Sequence, residues 1–233
     1  MDKNPLYVLI HSPLVGPLTW QLVAREMGSR GLEAITPTLT DDPNLDLPFW
    51  QQHARSFAKS LERIDIDRRV VLVAHSGAGP LLPVLRQSIE HPVLSYVFVD
   101  AGVPLNGASR LDLIGQSDPQ WGHQFHQALL RGESFPAWDE DDLSEDIPDA
   151  NLRRKMVSEI HPRSLNFYTE PIPVFSGWPD ASCSYIQFTA SYDWDCTRAE
   201  QTGWRVRKLH VGHFHMLVDP KAVTNMIIQI QFM

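Results

Sequence analysis

Cysteine is scarce in this chain. Its 233 residues contain only Cys183 and Cys196, with no C-x-x-C pair and no spacing suited to a metal site. A disulfide framework is thereby excluded, no metal is expected, and two free thiols suit a reducing cytosol. Positive charge is also thin: 20 Lys and Arg stand against 28 Asp and Glu, a formal net charge of −8. No Lys/Arg run occurs, so no nucleic-acid partner is expected. No segment approaches the roughly 20 apolar residues of a membrane span, and Met1–Pro5 lacks the apolar core of a signal peptide. There is no Gly-rich phosphate loop or dinucleotide fingerprint, and no cofactor is expected. The acidic stretch Asp139–Asp142 with Glu145-Asp146 lacks the alternating ligands and glycine of a calcium loop, and reads as a solvated loop or helix start. What is left is a soluble, cytoplasmic chain with no membrane partner, long enough for one sizeable α/β domain.

The most informative stretch that is present runs from Val70 to Gly79. Val70-Val71-Leu72-Val73-Ala74 is wholly apolar and rich in β-branched valine, as in a strand buried on both faces of a parallel sheet. It ends in His75-Ser76-Gly77-Ala78-Gly79. A serine on a sharp strand-to-helix turn crowds the residues two before and two after it, and here both are alanine, Ala74 and Ala78. Its hydroxyl then stands near a helix N-terminus, where partial positive charge favours a developing oxyanion.

Further strands are expected at Leu6–Ile10, Leu32–Ile35, Ser95–Asp100, Tyr185–Thr189 and Arg205–Val211. Helices are expected from Thr19 to about Gly31, from Pro48, after the serine, around Arg198–Thr202, and from Pro220 to about Ile230. Repeated strand–helix units imply a mostly parallel central sheet with helices on both faces. Between about Pro104 and Pro179 no buried strand is evident, only amphipathic patches such as Gln124–Leu130 and Asn151–Ile160. The division this suggests is a core of residues 1–103 and 180–233, with a helical insertion over 104–179.

The serine turn resembles the nucleophile elbow of the α/β-hydrolase family, in a small-x-Ser-x-small form. Val211-Gly212-His213-Phe214-His215, followed by Asp219-Pro220, resembles that family's histidine loop. Together with the strand–helix rhythm, the resemblance covers nearly the whole chain. It implies an α/β-hydrolase fold with an inserted helical cap and a Ser-His-Asp triad. A serine hydroxyl is a poor nucleophile until a base reaches it and a third group fixes that base. Ser76 is the expected nucleophile and His213 the base, with His210 structural and His215 a rival. Asp193, in Ser191-Tyr192-Asp193-Trp194-Asp195, best matches the family's acid loop. Asp195 is a near alternative, and Asp100, one strand earlier, a third.

One position departs from the family pattern. After the first strand, in Ile10-His11-Ser12-Pro13-Leu14, the slot that usually gives an oxyanion N–H holds Pro13, which has none. Gly77 N–H can supply one donor. The second would be Leu14 N–H, if the loop shifts, or the Ser12 hydroxyl. Otherwise the reaction builds little oxyanion charge. Trp20, Trp121 and Trp138 are candidates to line an apolar substrate pocket.

The expected activity is hydrolysis of a small or medium apolar ester, thioester, lactone or amide, in the manner of a cofactor-independent esterase or thioesterase. The alternatives are a cofactor-free lyase, isomerase or cyclase using His213 as base, and a ligand-binding protein with a relic triad.

Overall fold

Six strands form one sheet in the order β2-β1-β3-β4-β5-β6, every neighbouring pair parallel. The structure, a computed structural model, describes residues 4–231. The strands are β1 Leu6–Ile10, β2 Ala34–Ile35, β3 Val70–Ser76, β4 Val93–Ala101, β5 Ser182–Gln187 and β6 Arg205–Lys208. The centre of the sheet is buried on both sides, which is why β1, β3 and much of β4 carry continuous apolar runs, while the edge strand β6 is mostly charged and exposed. Along β3, Val70, Leu72 and Ala74 pack on one face while Val71 and Val73 pack on the other.

Helices cover each face. On the first lie α2 (Phe49–Leu61), α3 (Leu82–Gln87) and α8 (Asp193–Gln201), contributing Phe57, Leu61, Leu85, Cys196 and Ala199. On the second lie α1 (Leu18–Ser29), α9 (His215–Val218) and α10 (Pro220–Gln229), contributing Val23, Met27, Met216 and Ile227. The expected α/β architecture is therefore present, with every strand pair parallel rather than most.

Element ends differ from the sequence reading. The second and last strands are shorter than expected, so His210 lies exposed beyond β6 rather than inside a strand. Helix α1 starts at Leu18, and Thr19 caps nothing; its hydroxyl donates to Gly16 O at 2.9 Å. Pro80 and Pro83 compress the turn after Ser76 into a 3₁₀ turn, Gly79–Leu81, followed by the short α3.

Between β4 and β5 the chain forms α4 (Arg110–Ser117), α5 (Pro119–Leu130), α6 (Ala150–Val157) and α7 (Leu165–Thr169). Phe125, Leu129, Phe167 and Tyr168 from this segment make a separate apolar cluster with Phe49 of α2. Met156 of α6 joins the second face of the core. No helix among the described residues is long and apolar enough to cross a membrane.

His11, at the end of β1, is 1% exposed. Its Nδ1–H donates to Ser12 O at 2.8 Å, and its Nε2 accepts from Leu39 N–H at 3.1 Å. Burial pushes its pKa down to about 4, against a usual 6.5. The unfolded chain therefore takes up a proton near pH 6.5 that the folded chain refuses until about pH 4. Stability falls as pH drops through that window, by about 3 kcal/mol for this group alone. Urea unfolding of the wild type at pH 7 and pH 4.5 measures the loss. The same pair of curves for His11→Gln is expected to show a smaller one; an unchanged difference would clear His11 of responsibility.

Candidate active site

The site gathers at the carboxyl ends of β3, β4 and β5, where an α/β sheet assembles its chemistry. Ser76 ends β3 with φ of +54°, in the left-handed region that a non-glycine residue enters at a cost. The turn is enforced by packing: Ala74 and Ala78 are fully buried beside it. A Cβ on Gly79 would lie 2.1 Å from the backbone oxygen of Gly102, so only glycine lets the turn close onto the end of β4.

Asp100 sits across from it on β4. Pairing runs His75↔Val99 and then Ser76↔Ala101, which leaves Asp100 as the extra residue of a bulge, at φ +43°. The bulge re-aims its side chain toward the loop after β5. Oδ1 accepts from the N–H groups of Phe188 (2.8 Å) and Thr189 (2.9 Å). Oδ2 accepts from the Thr189 hydroxyl (2.9 Å) and from Nδ1–H of His213 (2.7 Å). Those partners are donors, and Asp100 is fully buried.

The bond to Asp100 fixes the His213 tautomer with the proton on Nδ1, leaving Nε2 as a base. His213 lies on the loop between β6 and α9, its side chain 19% exposed. A second histidine holds that loop: His75 Nε2–H donates to His213 O at 3.1 Å, with ring centroids 4.3 Å apart. Burial, and then the nearby His213, hold the His75 pKa well below its usual value, so it stays neutral.

Ser76 and His213 are not joined by a hydrogen bond among the described residues. Tyr192 touches both. Its hydroxyl is 3.0 Å from Ser76 Oγ, and its ring lies parallel to the imidazole, 9° between planes and 5.5 Å between centroids. Sequence reading did not single out Tyr192 or Thr189. Thr189 reads as the end of the strand that in fact stops at Gln187, and Tyr192 lies in a stretch read only for its aspartates.

The structure places the first choice of acid away from His213. Asp193 is exposed, opens helix α8, and accepts from the Gln187 side chain rather than from His213. Asp195, in the same first turn, is buried and accepts from Val103 N–H at 2.6 Å; burial pushes its pKa up to about 6. The carboxylate on His213 is the third choice, Asp100.

At the end of β1, Leu14 N–H donates to Ser12 Oγ at 3.3 Å. A Cβ on Gly77 would lie 2.9 Å from that same oxygen, so the Ser12 hydroxyl stands directly against the Gly77 backbone. Pro13 O is held by Arg163 Nη2 at 3.1 Å. Leu14 N–H is thus directed at Ser12, whose Oγ lies beside the Gly77 backbone.

The tryptophans divide. Trp20 is fully buried and donates Nε1–H to Ile10 O at 3.1 Å, so it is core and offers a substrate no face, contrary to expectation. Trp121 is 47% exposed and stacks on Phe125. Trp138 is half-buried and meets Phe214, the neighbour of His213, edge-on at 6.0 Å. Two surface depressions, of about 280 and 460 Å³, flank Pro48 and Glu170 at the start of α2, and neither is lined by Ser76 or His213. Among the described residues no cluster of His, Cys, Asp and Glu suits a metal ion.

A family model described as the alpha/beta hydrolase family matches residues 7–225. The carbendazim hydrolyzing esterase of Nocardioides sp. (strain SG-4G) is 25% identical over 251 aligned positions, spanning 93% of this chain and 96% of that protein. Among solved structures, an extracellular alpha/beta-hydrolase from a Paenibacillus species has a TM-score of 0.77 at 18% identity, covering 97% of this chain and 98% of that one. A pyrethroid hydrolase from Sphingobium faniae JZ-2 has a TM-score of 0.69 at 17% identity, covering 98% and 97%. At such identities these two structures speak for the fold.

Proposed function

The chain belongs to the alpha/beta hydrolase family, and from that premise we propose that it is a serine esterase whose triad is Ser76, His213 and Asp100. The observation that carries the reading is the 2.7 Å bond from His213 Nδ1–H to buried Asp100, at the same rim as a serine held in a left-handed turn. The esterase relative that spans nearly the full length supports it.

Ser76 Oγ attacks the acyl carbonyl while His213 Nε2 takes its proton, and Asp100 stabilises the imidazolium that forms. This step requires the Ser76 hydroxyl to turn from Tyr192 toward Nε2. The carbonyl oxygen becomes an oxyanion held by Gly77 N–H and the Ser12 hydroxyl. Ser12 then replaces the N–H that Pro13 lacks, and Leu14 N–H acts through Ser12 by donating to its oxygen. On this reading Pro13 does not call for a non-hydrolytic reaction. The intermediate collapses, the leaving oxygen takes the proton from His213, and water activated by His213 then frees the acyl group.

The substrate we infer is a small or medium apolar ester, with a thioester, lactone or amide as chemical neighbours. No cofactor is assigned to any step. We read residues 104–179 as a cap, with Trp138 reaching the histidine loop from it. The free, buried Cys183 and Cys196 suit a reducing compartment and support a cytoplasmic setting.

The test is covalent labelling. A fluorophosphonate is expected to modify the wild type at Ser76, identified by peptide mass spectrometry, and to leave Ser76→Ala unlabelled. A wild-type protein that is folded by circular dichroism yet takes no label at Ser76 overturns the serine reading.

A further inference from the structure

Among the described residues, Tyr192 is the one whose side chain both hydrogen-bonds Ser76 Oγ and stacks on the His213 ring. It sits on the 3₁₀ turn Ala190–Tyr192, between β5 and α8. Its position relative to the reaction follows from two constraints. The oxyanion points to the Ser12 and Gly77 side of the nucleophile. The leaving group must point to the other side, because its proton comes from His213 Nε2. A phenol stacked on the imidazole, with its oxygen 3.0 Å from Ser76 Oγ, stands on that second side. Once Oγ is bonded to the acyl carbon it becomes a weak acceptor, and the phenol proton is released beside the departing oxygen.

We propose that Tyr192 is a further catalytic residue, whose phenol O–H hydrogen-bonds the leaving-group oxygen while His213 protonates it. The inference rests on the serine reading above. No proton leaves Tyr192: the leaving oxygen receives the one that His213 took from Ser76, the acyl carbon–oxygen bond breaks, and the phenol supplies only a hydrogen bond. Burial, and then the Asp100 carboxylate nearby, hold its pKa well above the usual tyrosine value, so it is a donor throughout the working pH range.

A hydrogen bond to the leaving oxygen matters in proportion to the negative charge that oxygen carries. The test therefore compares ethyl and 4-nitrophenyl butyrate in wild type and Tyr192→Phe, which keeps the ring against His213. For the variant, kcat/KM on the ethyl ester is expected to fall roughly 10- to 100-fold, the range for a bond to a charged acceptor. On the 4-nitrophenyl ester, whose leaving group needs little help, the fall is expected to stay within about 3-fold. The rate of fluorophosphonate labelling at Ser76 should change little, which also certifies that the variant's site is intact. Equal losses on the two esters, or no loss on either, overturn the role; so does a variant that fails to label. A wild type that takes no label at Ser76 overturns the serine reading, and this inference with it.

Discussion

Asp100→Asn is expected to lower kcat by about ten-thousand-fold, the cost of presenting the wrong histidine tautomer. The amide cannot satisfy its surroundings in either orientation. With its NH₂ on the Oδ2 side, it faces the Thr189 hydroxyl and His213 Nδ1, and the imidazole must move its proton to Nε2 to accept. The base is then gone. With its NH₂ on the Oδ1 side, it meets the backbone N–H groups of Phe188 and Thr189, both donors in a buried place. Asp193→Asn, at an exposed side chain bonded to Gln187, is expected to stay within about 3-fold of wild type, since surface changes of this kind have small effects. Kinetics on one ester, with thermal melts to correct for folded fraction, decide the matter. Loss of activity in Asp193→Asn with retention in Asp100→Asn would return the acid to the loop after β5.

The contrast between those two aspartates marks the limit of what the chain discloses as a string. The elbow is legible because its causes are local: small neighbours around Ser76 and a continuously apolar, valine-rich strand. The histidine loop is legible for the same reason, with Gly212 before His213 and Asp219-Pro220 opening α10. Asp100 is different. Its orientation comes from a slip in register between β3 and β4, a non-local event that leaves no mark in the residues themselves. Asp193 and Asp195 misled because they have another local cause. They fill the first turn of α8, where carboxylates favour the helix N-terminus. The stretch from Ser191 to Asp195 therefore reads as an acid loop although its contribution to the site is the aromatic Tyr192. Trp20 misled in a related way: an indole near a strand end can line a cleft or fill a core, and here the Ile10 carbonyl gave its N–H a buried partner.

The loop after β1, which holds the proposed oxyanion donor Ser12, depends on a second polar group away from Ser76, His213 and Asp100. Arg163, from the helical segment, forks onto Asp41 at 2.6 and 2.8 Å and reaches Pro13 O with the same Nη2. Asp41 in turn accepts from buried His53 Nε2–H at 2.7 Å, and its own side chain is 1% exposed. Burial alone would raise the Asp41 pKa, but His53 and Arg163 outweigh it and hold the carboxyl below its usual value. Arg163→Met removes the cation and leaves that carboxylate buried with a neutral histidine. The expected cost is about 3–5 kcal/mol, the penalty for breaking a buried pair from one side. Asp41→Asn in the same chain should recover part of it, because a neutral amide oxygen still accepts from His53 and no charge is stranded. The order of stabilities in urea is therefore wild type, then the double variant, then Arg163→Met. A single variant within about 1 kcal/mol of wild type would mean the bridge behaves as an exposed pair. A double variant less stable than the single would mean that the lost energy was packing against Phe167, which the Arg163 guanidinium overlies at 5.2 Å, and not the stranded charge.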